Sequence, residues 1–194
     1  MKQDLKNKLQ KQELKEDTLQ QDDAPQIYVA CLASYNAGRL HGSWIPVETK
    51  EQIQEDIQKI LRTSQEPFAE EWAIHDFDGF GGAQLSEYED FDALVTLKEL
   101  IEAHDETLVG ALYNYFSGGV EEVEKVLQDQ YLGCFESIED YAMDYIESTG
   151  SLRQLPESLQ YYFDYERFAR DLEMGGDIFT IETSYREVHV FSNY

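Results

Sequence analysis

The sequence predicts an α+β protein, an elongated chain of about three small modules: one ββαβ-like, one helical, and one of helices with a terminal β-hairpin. Three observations predict this. β-Branched and aromatic runs of strand length stand near the start and at the end of the chain. Between them, apolar residues recur at helical spacing. Gly, Pro and Gly-Gly breaks cut the chain into short elements joined by short loops.

Residues 1–26 are polar, rich in Lys and Gln and without aromatics, so they read as a disordered or loosely helical extension ended near Pro25. A first α+β module spans 27–86. "QIYVACLASYN" reads as a strand, "AGRLHG" as a turn, and "SWIPV" as a second strand that Pro46 places at an edge or an end. In "ETKEQIQEDIQKILRTS", Ile53, Ile57, Ile60 and Leu61 fall on one helical face, with Thr49 as N-cap. "EEWAIHDFDGF" is a third strand running into a Gly loop. A helical module spans 87–129, with helices through Phe91, Leu94, Leu97 and Ile101, through "DETLVGALYNYFS", and through "VEEVEKVLQDQ". The last module spans 130–194. Ser137 with Asp140 resembles a capping box, and Gly150 is the stop. Pro156 opens a helix carrying Leu159, Phe163, Phe168 and Leu172, and "DIFTIET" with "REVHVFS" forms the hairpin.

The net charge is −25, with 40 acids against 15 Lys and Arg. It is unevenly spread. Residues 27–62 hold four acids and four bases, net zero; residues 63–149 hold 22 acids against Lys98 and Lys125, net −20. The stretch "DFDGFGGAQLSEYEDFD" holds six carboxylates and four aromatics without a single base. Disordered acidic chains are poor in aromatics, so this is a folded acidic protein. It should avoid nucleic acid and anionic membranes and seek basic surfaces. Cys31 and Cys134 form no CxxC pair and read as small buried residues of a reduced cytosol. No signal segment or long apolar run is visible, which gives a cytoplasmic expectation.

Catalytic and metal signatures are lacking. His41, His75, His104 and His189 are scattered, with no zinc spacing, and "DFDGF" fails the EF-hand pattern at both ends. No phosphate loop or nucleophile elbow is present. A carboxylate pair among so many acids has no specificity as a hydrolase signal, so the expectation is a non-enzyme with no cofactor and no metal. Dense, folded negative charge suits another task. B-DNA carries about one charge per 1.7 Å of axis, so a net of −20 matches ~34 Å of duplex. Acids at i, i+3 and i+4 on helices stand about 5–6 Å apart and approach that density. The candidate partner-binding acids are Glu70, Glu71, Asp76, Asp78, Glu87, Glu89, Asp90, Asp92, Glu99, Glu102, Asp105, Glu106, Glu121, Glu122, Glu124 and Asp129. The other reading is an acidic adaptor for some other basic DNA-binding protein.

Three stretches resemble the ArdA-type antirestriction proteins over about residues 26–194. They are "IYVACLASYNAGRLHGSWIPV", "EPFAEEWAIHDFDGFGG" and "VEKVLQDQYLGCFESIEDYAMDYIEST". The last is similar to the family's antirestriction motif, matched by Tyr131, Gly133, Phe135, Ser137, Glu139, Asp140 and Ala142. The resemblance implies an elongated, curved homodimer of three-domain chains, joined through the C-terminal domain. It implies mimicry of bent B-form DNA that blocks the DNA-binding groove in the methyltransferase/specificity core of type I restriction–modification enzymes. It also implies carriage on mobile elements.

Overall fold

A computed structural model describes residues 24–194, and the α+β class holds. The extension expected over 1–26 lies outside the described residues as far as residue 23. The described chain falls into two compact units, one ending at Glu106 and the next beginning at Thr107.

In the first unit the central strand β1 (Gln26–Cys31) pairs antiparallel with β2 (Gly42–Pro46) on one side and β3 (Trp72–Asp78) on the other. Pro46 ends the edge strand β2, where a missing amide donor breaks no ladder. A short helix, α1 (Leu32–Asn36), lies between β1 and β2. It was expected as a continuation of β1. The amides of Cys31 and Leu32 still bond the carbonyls of His41 and Glu71, at 2.9 and 3.0 Å, and the chain turns into the helix directly after them. Ser34, buried on α1, is satisfied by Ser64 Oγ at 2.8 Å. Helix α2 (Lys50–Arg62) starts at Thr49, whose hydroxyl accepts from the Gln52 amide. Its buried Ile53, Ile57, Ile60 and Leu61 join Ile27, Val29, Ile45 and Ile74 in an aliphatic core. Helix α3 (Phe91–Ala103) buries Leu94, Leu97 and Leu100, while Ile101, expected on that face, is only half-buried. Phe91 stacks on Trp72 with ring centroids 5.3 Å apart.

The second unit takes up most of α4 (Glu106–Tyr115), followed by α5 (Val120–Lys125). The helix expected over 120–130 changes to a π turn at Val126–Gln130. Strand β4 (Tyr131–Phe135) follows and was not expected. Its sequence does not alternate, because Gly133 sits at φ 138 and the register with its partner slips between Tyr131 and Gly133. Pairing with the terminal hairpin imposes the strand. That hairpin, β5 (Ile178–Ser184) and β6 (Glu187–Ser192), forms as expected, and β6 is central in the order β4-β6-β5. Helix α6 (Ile138–Thr149) is capped by Ser137 and ends at Gly150. The helix expected from Pro156 to Leu172 is split. The single turn α7 (Glu157–Gln160) stops, and α8 (Tyr165–Gly175) restarts at Asp164, whose carboxylate accepts from the Arg167 amide at 2.9 Å.

One face of this second sheet packs on α6 and α8, with Tyr141, Ile178 and Val190 buried and Phe135, Ile138, Leu172 and Val188 around them. The other face is aromatic. Phe179 stacks between Tyr115 and Phe191 at 5.0 and 4.9 Å, and Tyr131 leans on Phe191 at 5.2 Å. Cys31 is buried as expected, but Cys134 is exposed, because it lies on the edge strand β4.

Candidate functional site

The candidate acids are set on backbone that the fold fixes. Asp76 and Asp78 lie on β3, and Glu70 and Glu71 just before it. Glu87 and Glu89 lie in the loop to α3, where Glu89 accepts from the Ser86 amide at 2.9 Å. Asp90 is the N-cap of α3 and takes the amides of Asp92 and Ala93, so its carboxylate serves the helix. Asp92, Glu99 and Glu102 lie on α3; Asp105 precedes α4, and Glu106 begins it. Glu121 and Glu122 lie in the first turn of α5, where the helix dipole favours them; Glu124 follows on the same helix, and Asp129 sits on the π turn. All of these are exposed except Glu89, which is half-buried.

Some of this charge is neutralised locally. Lys50 pairs with Asp92, and that contact raises the Lys50 pKa; Lys98 reaches Glu102 at 3.0 Å. Among the described residues no Lys or Arg lies within ion-pair reach of Glu70, Glu71, Asp76, Asp78, Glu87, Glu99, Glu106 or the three acids of α5. The loop after β3 is held tightly. Gly81 sits at φ +58, and a Cβ there would lie 1.9 Å from the Glu106 carbonyl oxygen, so only glycine fits. Around it Phe77, Asp78, Phe80, Gln84 and Glu106 line an open cavity of about 490 Å³.

The motif residues mostly build the strand–turn–helix unit of β4 and α6. Tyr131, 41% exposed, places its hydroxyl 2.9 Å from Nδ1 of the buried His189. Gly133 leaves room for the Phe135 ring, which a Cβ would meet at 3.1 Å. Phe135 packs edge-on against Tyr141 at 5.3 Å. Ser137 caps α6 by accepting the Asp140 amide, and its own hydroxyl donates to the Asp140 carboxylate at 2.6 Å. Ala142 is fully buried. Glu139 is half-buried in the first turn and Asp140 is exposed there.

Sequence reasoning passed over two further acids. Asp144 and Glu147 follow Asp140 at i+4 and i+7, and all three are exposed on α6, opposite the buried Tyr141, Ala142 and Ile146. The spacing was readable from the chain. It also passed over a cross-strand cluster. Cys134 on β4 pairs in register with His189 on β6, and Glu187 lies two residues before His189 on the same face. One ligand-type atom from each of the three falls within 4.8 Å of the others. Partial desolvation of the sulfur and the nearby Glu187 carboxylate raise the Cys134 thiol pKa, although the residue as a whole is exposed.

No helix among the described residues is long and apolar enough to cross a membrane. A comparison with curated proteins finds no match. A family model described as "Antirestriction protein (ArdA)" matches residues 27–187. That match runs from the second residue of β1 to the first residue of β6, through the acidic stretch and the motif alike, and on it the chain belongs to the ArdA antirestriction protein family.

Proposed function

We propose that this protein inhibits type I restriction–modification enzymes by occupying the DNA-binding groove of their methyltransferase/specificity core, its carboxylates standing where DNA phosphates would lie. The observation that carries the reading is the set of exposed acids between Glu70 and Asp129, fixed on strands, caps and helices and largely without cationic neighbours. A preordered array loses less conformational entropy on binding than a disordered acidic tail. The row Asp140, Asp144 and Glu147 on α6 extends it. The acting species is a homodimer joined through residues 130–194, whose share of the charge is lower beyond residue 149: eight acids against four Arg over 150–194. Each of the three modules 27–86, 87–129 and 130–194 contributes acids to the contact, and the protein acts in the cytoplasm, carried there by a mobile element.

The test is cleavage of unmodified DNA by a type I enzyme, titrated with this protein at two salt concentrations. Inhibition should weaken steeply as salt rises, because charge pairing drives it. Changing Glu70, Glu71, Asp76, Asp78 and Glu99 together to amides should raise the inhibitory concentration by more than about tenfold, equal to ~1.4 kcal/mol. Binding to another basic DNA-binding protein, which added DNA does not displace, would instead favour the adaptor reading.

A further inference from the structure

We propose that Cys134, Glu187 and His189 form a binding site for a soft divalent cation such as Zn²⁺ on the aromatic face of the second sheet. The three donors are a thiol, a carboxylate and an imidazole, the set that suits zinc. They come from two neighbouring strands, with Cys134 directly opposite His189 and Glu187 beside it on the same face. Their ligand atoms already lie within 4.8 Å of one another. Tetrahedral zinc needs such atoms about 3.5 Å apart, which side-chain rotation of ~1 Å supplies.

The surroundings orient the donors. His189 has a hydroxyl at each ring nitrogen: Tyr131 at 2.9 Å from Nδ1 and Thr183 at 3.2 Å from Nε2. Whichever nitrogen takes the ion, the other keeps a partner that fixes the ring and its tautomer, an outer-shell arrangement common around metal-bound histidine. Ser184 donates to the Glu187 carboxylate. Access is graded, since Cys134 is exposed, Glu187 half-buried and His189 buried, so an ion enters from the Cys134 side. On binding, the Cys134 S–H proton is released to solvent and the thiolate sulfur takes its place on the cation. Three protein donors leave a fourth position for water. The ion would bond β4 to β6 and so clamp the strand that carries Tyr131 to the hairpin.

The experiment uses the reduced full-length chain, with Zn²⁺ titrated against a chromophoric chelator in excess Mg²⁺, and Co²⁺ as a spectroscopic probe. One Zn²⁺ per chain that Mg²⁺ does not displace is expected, together with a thiolate-to-cobalt charge-transfer band. Cys134→Ser should weaken Zn²⁺ binding by about 100-fold or more and remove the band, and Glu187→Gln should weaken it by ~10-fold. Circular dichroism establishes that both variants are folded, and Cys31 remains in each as an internal control. Displacement by Mg²⁺ would mean diffuse attraction to the acidic surface and would overturn the site. So would a charge-transfer band that survives in Cys134→Ser.

Discussion

The two units carry the same electrostatic load on different cores. Residues 24–106 hold 17 acids and five Lys or Arg, and residues 107–194 hold the same numbers, a net of −12 each. Each builds a three-stranded antiparallel sheet around one central strand. The first sheet is held by Ile27, Val29, Ile45, Ile53 and Ile57; the second has a face built on Phe179, Phe191, Tyr115 and Tyr131. A ring buries about 150–250 Å², worth at most ~4–6 kcal/mol at the usual area coefficient. Self-repulsion of this size is therefore compatible with either chemistry. What differs is the filling: branched aliphatic side chains in the first sheet, stacked rings on one face of the second.

The strongest way to break that comparison is to remove one central side chain from each core. Phe191→Ala should cost about 3–5 kcal/mol and Ile53→Ala about 2–5 kcal/mol. Both tryptophans, Trp44 and Trp72, lie in the first unit. In urea titrations, Phe191→Ala should therefore shift the circular-dichroism transition while leaving the midpoint of tryptophan fluorescence in place. A common shift of both probes would mean that the two units unfold as one.

A smaller effect sharpens the comparison. Thr49 and Ser137 cap α2 and α6 in the two units by accepting the amide three residues on, at 3.2 and 3.1 Å. Replacing either with Ala should cost about 1 kcal/mol. Ser137→Ala should be the dearer of the two in a denaturation midpoint, because Ser137 also bonds the Asp140 carboxylate.

The least effect belongs to pH. Lys59 and Gln52 hydrogen-bond Asp56 and hold its carboxyl below the ordinary 3.8. A depressed carboxyl contributes stability above its unfolded pKa, and that contribution is lost as pH falls through the folded value. Asp56→Asn should thus narrow its stability gap to the parent protein below about pH 4 and leave it constant at neutral pH. A gap that widens on acidification would contradict the assigned partners.

How much of this was legible depended on range. Helix α2, its Thr49 cap, the Ser137 cap and the terminal hairpin could be read because local period and cap chemistry specify them. Strand β4 could not, since its pairing partner β6 lies more than 50 residues away and Gly133 erases the alternation. The same distance hid the meeting of Cys134 with His189. The break between α7 and α8 was written in Asp164, but the apolar spacing across it continued a helical pattern and masked the signal. Asp144 and Glu147 were missed although α6 is no poorer in acids than α3, because they stand among aromatic and motif residues that read as structural.

The slipped register of β4 has a consequence of its own. β4 is an edge strand, and Tyr131 and Leu132 expose apolar surface there. Edges of that kind recruit strands from other molecules and seed fibrils. With Leu132 and Gly133 set against a single step of β6, the outer row of amides and carbonyls is out of line with any incoming strand. The irregularity that hid β4 from sequence reading is thus also of the kind that disfavours open-ended strand pairing along an edge.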